Sequence, residues 1–154
     1  MAVIIFFIFI LLMILGYAAG SVNEKNHYRS IKEREKKTLH LPVVNMKKVE
    51  DFMEPRKQIA SAELVIGSVV VSIDFFKLIL ASLRNIVGGN VRSYETLVDR
   101  GRREAILRMK EAADSPDIIM NLRIETSTIG KSPGSGSIGS IEVLAYGTAI
   151  RYKY

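Results

Sequence analysis

The chain has 154 residues, 48% of them hydrophobic, with 22 Lys/Arg against 16 Asp/Glu and a net charge of +6. That length supports one modest domain rather than two. The absence of cysteine excludes disulfides, thiolate metal sites and a lipid-modified cysteine anchor.

Ala2 to Ala19 carries no charged side chain and is dominated by Ile, Leu, Phe and Val. As a helix it spans roughly 27 Å, close to the thickness of a bilayer's hydrocarbon core. The run is apolar on every face, which argues against a core helix. A membrane anchor over residues 1–22 is expected. The alternative is a signal peptide cleaved near Gly20, after the small residues Ala18 and Ala19, giving a secreted or periplasmic protein. Lys25, Arg29, Lys32, Arg34, Lys36 and Lys37 all follow the span, and the positive-inside rule then places the C-terminal side in the cytoplasm.

Residues 23–60 read as a basic juxtamembrane connector. Ser21 to Ala60 holds ten Lys/Arg against six Asp/Glu, whereas Ser61 to Tyr154 holds twelve against ten. Glu24 to Lys37 suits a charged helix, with Glu33 and Lys37 as an i,i+4 pair. Pro42 and Pro55 punctuate the remainder of the segment. Such an arm favours anionic lipids, and a solvated spacer fits it equally.

Residues 61–154 read as the folded domain. Glu63 to Val71 is rich in Val and Ile on both faces, which predicts a buried strand. Ile73 to Val87 repeats apolar residues at helical spacing, with Asp74 near its start, and Gly88-Gly89 ends it. From Val91 to Ala113 a second helix aligns Tyr94, Val98, Gly101, Ala105, Met109 and Ala112 on one face. Arg92, Arg100, Arg103 and Lys110 form its expected solvated side. Ser115-Pro116 stops it. The period then changes to two: Ile118, Met120, Leu122 and Ile124 alternate with more polar residues, and Ile141 to Tyr152 supplies a last strand. The fold class is α+β, in the order strand, helix, helix, strand, strand, with helices on one face of a small antiparallel sheet. A doubly apolar first strand needs a cover on each face, which predicts self-association.

Two loop motifs invite a nucleotide reading. Gly134 to Gly139 spells G-x-G-x-x-G, but a dinucleotide site requires that turn to open a helix, and a β-prone segment comes next. Gly130-Lys131-Ser132 resembles the end of a phosphate-binding loop, yet Glu125 stands where its first glycine belongs. No nucleotide is expected. His27 and His40, the only histidines, lie in the arm, so no domain histidine can serve a nucleophile triad and no enzyme is expected. Without Cys or His, a domain metal site would use carboxylates and suit hard divalent cations. The nearly even charge of the domain speaks against nucleic acid.

The runs Glu63 to Gly67, Asp74-Phe75-Phe76 and Ser82 to Gly89 resemble the YbjQ family, also called UPF0145 and labelled as heavy-metal-binding. Ser93-Tyr94-Glu95, Arg103-Glu104-Ala105, Glu125-Thr126 and Gly147 to Ile150 continue the resemblance in order. It implies a dodecin-like subunit assembled as a ring, most simply a homopentamer, and no established reaction. A Leu-Gly-Ala-type turn typical of the family is replaced here by Asp114-Ser115-Pro116-Asp117. The N-terminal anchor is an addition to the compact family form. A ligand pocket, if present, is expected where Arg84, Gly88, Gly89, Tyr94 and Glu95 approach a neighbouring subunit. Metal handling would draw on Asp74, Glu95, Asp99 or the two histidines of the arm.

Overall fold

The computed structural model describes residues 1–46, 58–72, 92–129 and 140–153. They form helix α1 (Ala2–Lys37), strand β1 (Ile59–Ser72), helix α2 (Arg92–Ala112) and strands β2 (Ile118–Ile129) and β3 (Ser140–Tyr152). The expected helix over Ile73 to Val87, its Gly88-Gly89 end and both loop motifs lie outside the described residues.

The sheet has the order β1-β3-β2 and is antiparallel throughout. Its central strand is the last in sequence. Val65, Val69 and Val71 of β1 and Ile141, Val143, Ala145 and Ala149 of β3 alternate onto one face, where α2 covers them with Leu97, Ala105 and Met109. These side chains, with Leu41 and Ile119, make up the main core. Gly67 lets α2 lie almost on the strand. A Cβ there would run into the Ala105 carbonyl and the Met109 amide, both helix backbone. The helix axis is therefore closer to β1 than any larger residue would allow.

Several expectations need correction. Within one chain strand β1 alternates and is covered on one face only, leaving Leu64, Ile66 and Val70 66%, 50% and 57% exposed. A single helix layer covers only one face of a sheet, so the outward residues have no cover within the described chain. Leu97 joins the sheet-facing stripe of α2, while Ala112 is exposed. The alternation expected in β2 is broken by a register shift between Met120 and Arg123, where Asn121 takes a positive φ of 54°. The irregularity adds a residue, so Leu122 packs against the main core to which Ile119 belongs. Gly147 lies across from it, with no room for a Cβ beside Ile119 and the Met120 carbonyl.

The arm is built into the fold. The Val44 amide donates to the Ile119 carbonyl (2.9 Å), and the Ile119 amide to the Pro42 carbonyl (3.0 Å). The Asn121 amide donates to the Met46 carbonyl (3.0 Å). Residues 42–46 thus run along the free edge of β2 as an added strand segment. Val43 packs on the main core. Val44 and Met46 pack on a second cluster of Ile118, Met120, Ile150 and Tyr152.

Candidate functional site

Helix α1 is 36 residues long, about 54 Å at ~1.5 Å per residue, with two unlike halves. In the first, Val3 to Leu12 and Ile14, Leu15 and Tyr17 are exposed large hydrophobics. In the second, Ile31 is the one aliphatic side chain between Asn23 and Thr38, and it is fully buried. That half rests on α2. Arg34, Lys36 and Lys37 close its last turn, where cations complement the helix dipole. The Thr38 hydroxyl caps the carbonyls of Arg34 and Glu35.

Helix α2 therefore serves two partners. Leu97, Gly101, Ala105 and Met109, each four apart, face the sheet. Glu104 and Glu111, seven apart, turn toward α1 with the neighbouring Arg103 and Lys110. Glu104 is only 3% exposed. Arg34 Nη1 donates to both of its carboxylate oxygens, at 3.0 and 2.8 Å, and Arg108 Nε donates to Oε1 at 2.9 Å. The other edge of Arg34 grips Glu111 in a two-point contact, with both bonds at 2.7 Å. Arg103 makes a similar contact with Glu35 and lies 6.0 Å from the Tyr28 ring centre. The Tyr28 hydroxyl donates to the Thr96 carbonyl (3.0 Å), and Lys110 Nζ donates to the Thr38 carbonyl (3.1 Å). Arg108 Nη1 reaches the Ser68 carbonyl of β1 at 2.9 Å. A continuous set of polar contacts thus joins α1, α2 and the sheet.

The electrostatics follow from these contacts. Burial pushes the Glu104 carboxyl up, but hydrogen bonds from Arg108 and Arg34 outweigh it and hold the group below the usual carboxylate range. Hydrogen bonds from Arg103 and Arg34 likewise depress Glu35 and Glu111. Arg34 is raised by Glu111 and Glu104. Burial lowers His27, whose Nε2 is 4.0 Å from Glu104; Arg100, Arg34 and Arg108 add to the lowering against the pull of Glu104. Burial also lowers Lys110. The Glu104 oxygens are committed to guanidinium donors at neutral pH, so this carboxylate is a structural anion rather than a free base.

Arg84, Gly88, Gly89 and Asp74 lie outside the described residues. Tyr94 sits in the first turn of α2, and Glu95 and Asp99 are exposed on that helix. Asp99 lies 3.9 Å from Arg103. Arg103 and Lys110, expected to be solvated, contact α1 instead, because the arm continues as a helix and covers them. The sequence carried one overlooked signal: a lone Ile31 inside a charged helix marks a face that packs.

A heavy-metal site does not fit the described residues. Among them no group of three His, Cys, Asp or Glu is placed to hold an ion. The buried carboxylate is already occupied by two arginines, and His27 shares its surroundings with three. Soft metals prefer thiolate or imidazole, and a cation at His27 would meet the repulsion of those arginines.

The described chain is thus a small α+β domain, a three-stranded antiparallel sheet with one helix on its inner face, joined to a long helix with an apolar first half. Residues 44–153 match the profile of the YbjQ family, described as "Putative heavy-metal-binding". The chain belongs to this family, whose curated relatives are called UPF0145 proteins. A UPF0145 protein of Natronomonas pharaonis is 39% identical over 77 residues, covering 49% of this chain and 67% of that protein. One of Vibrio parahaemolyticus is 38% identical over 100 residues, covering 63% and 89%. One of Archaeoglobus fulgidus is 37% identical over 102 residues, covering 64% and 88%. The family match begins at Val44, so all of α1 precedes it.

Proposed function

We propose that this chain is a membrane-anchored, cytoplasm-facing, self-assembling binding or scaffold domain. One observation carries the reading: a single helix is apolar and uncovered over its first half and docked on the domain over its second. The first half is long and apolar enough to cross a bilayer, and the domain buries none of it. A soluble chain gains nothing by exposing so much apolar surface. The cations that follow the span support a cytoplasmic domain.

Self-assembly is supported by the outward residues Leu64, Ile66 and Val70, and by the free edge of β1 among the described strands. The family resemblance favours a ring, with five subunits as the expected number and a dodecin-like subunit. A ligand of such a ring is expected at Arg84, Gly88, Gly89, Tyr94 and Glu95, as the sequence suggests. The family description favours metal handling as the second reading, through Asp74, Glu95, Asp99 or the arm's histidines. The geometry around His27 weighs against it.

Native mass spectrometry of the full chain released from detergent, with and without divalent metals, tests both readings. A defined oligomer unchanged by metals supports the scaffold. Tight soft-metal binding that disappears in a His27→Ala/His40→Ala variant supports metal handling. A monomer sinks the self-assembling reading. Release of the chain from membranes by alkaline carbonate sinks the anchor.

A further inference from the structure

The membrane-distal half of α1 carries a second face that the domain does not use. Lys25, Arg29, Lys32 and Lys36 are all exposed and line one open groove with Ser21, Tyr28 and the two acids Glu24 and Glu33. At ~100° per residue these four cations fall within about 60° of one another. The docking face of His27, Ile31, Arg34 and Thr38 is roughly opposite. The cations are thus turned away from α2, into solvent, on a helix that leads straight from the apolar run.

Resting on the membrane reading above, we propose that Lys25 and Arg29 form a contact site for the phosphates of anionic phospholipids. Height along the helix decides which cations take part. Counted from Ala19, the Cα atoms stand at about 9, 15, 20 and 26 Å for Lys25, Arg29, Lys32 and Lys36. The headgroup layer is only about 5–8 Å deep, and physiological salt screens beyond about 8 Å. Helical side chains lean toward the N-terminus, here toward the bilayer, and long basic side chains snorkel to the interface. Lys25 and Arg29 therefore reach the phosphate layer, Lys32 lies at its margin and Lys36 is beyond it. A helix tilt of about 20° changes these heights too little to alter the order.

The test uses the full chain in nanodiscs of phosphatidylcholine with phosphatidylglycerol, reading the enrichment of the anionic lipid retained on the released protein. Each cation within reach contributes about a five-fold preference. Lys25→Gln/Arg29→Gln should lose at least ten-fold of the enrichment, and Lys32→Gln/Lys36→Gln less than two-fold. Equal losses in the two pairs, or none in either, overturn the proposal while leaving the anchor intact. A wild-type chain that alkaline carbonate strips from membranes overturns both. Unchanged helical circular dichroism confirms that each variant is folded.

Discussion

Arg34 of α1 and Glu104 of α2 meet through a single guanidinium nitrogen that donates to both carboxylate oxygens, at 3.0 and 2.8 Å. Neither residue acts alone, because Arg34 also holds Glu111 and Glu104 also receives Arg108. Arg108 continues to the Ser68 carbonyl of β1. The joint between the two helices is therefore also a joint to the sheet.

Removing one side of this pair should cost more than its counterparts nearer the solvent. Glu104→Ala removes the buried acceptor shared by two guanidinium groups, although Arg34 keeps Glu111 and Arg108 keeps the Ser68 carbonyl, and is expected to destabilise the chain by about 2 kcal/mol. Glu35→Ala breaks the more exposed contact with Arg103 and should cost about 1 kcal/mol or less. Chemical denaturation of the full chain in detergent measures both. A coupling of about 1–3 kcal/mol between Arg34→Met and Glu104→Met is expected from a double-mutant cycle.

Three glycines give a graded series. Gly67→Ala drives a methyl into helix backbone and should cost about 3 kcal/mol, the upper part of the overpacking range. Gly147→Ala meets the Met120 carbonyl at 3.0 Å and a side chain at 2.9 Å, and should cost about 1–2 kcal/mol. At Gly101 the closest neighbour is the Val143 side chain at 2.9 Å, while alanine gains up to ~1 kcal/mol of helix propensity. Gly101→Ala should be near neutral. Thermal midpoints in that order check the packing of α2 on the sheet and of β3 beside the β2 irregularity.

Acidification should loosen the α1–α2 joint. Glu35, Glu104 and Glu111 have folded values below the ordinary 4.5, so the unfolded chain takes up protons first. Their contribution is complete above about 4.5 and is lost as pH falls through the depressed folded values. His27 acts in the same direction at higher pH. Its folded value lies below 6.5, so falling pH through that window also favours the unfolded chain. Amide exchange of residues 28–38, followed from about pH 7 to about pH 3, should show protection falling first below ~6.5 and more steeply below ~4.5. Protection that rises on acidification would contradict the contacts described.

Adjacent positions on β1 should separate folding from the self-assembly proposed above. Val65 faces α2 and Ile66 faces away. Val65→Asp should unfold the domain, since it buries an unpaired carboxylate. Ile66→Asp should leave the fold and its thermal transition nearly unchanged while lowering the oligomer size seen by light scattering. A full-size oligomer carrying Ile66→Asp would remove this face from the interface.

Much of this architecture was legible in the residues. The Val/Ile-rich run from Glu63, the four-residue spacing of Gly101, Ala105 and Met109, and the strand from Ile141 all predicted their elements correctly. What escaped was pairing between segments distant in sequence. Nothing local to Arg34 announces Glu104 or Glu111, 70 and 77 positions away. Residues 42–46 carry too short an apolar run to announce a strand, and their place beside β2 depends on the sheet already existing. The alternation of β2 failed at Asn121, where one extra residue moves every later side chain to the other face. Of the candidate ligand residues, Arg84, Gly88 and Gly89 lie outside the described residues. The ionic joint, which α1 and α2 build together, was hidden because each half looks like an ordinary solvated charge pattern.

The unbroken course of α1 also fixes a phase. No proline interrupts it, and its only glycines, Gly16 and Gly20, stand before the charged half. Since Tyr28 to Thr38 are held against α2, the azimuth of every residue from Val3 to Tyr17 is set relative to the sheet. One residue inserted between Gly20 and His27 would rotate the apolar half by about 100° and displace it by about 1.5 Å, with the domain itself untouched. A seven-residue insertion would lengthen the helix by about 10 Å yet restore the azimuth to within about 20°. Length and direction can thus be varied separately, and a property that tracks one but not the other would reveal whether distance or orientation matters.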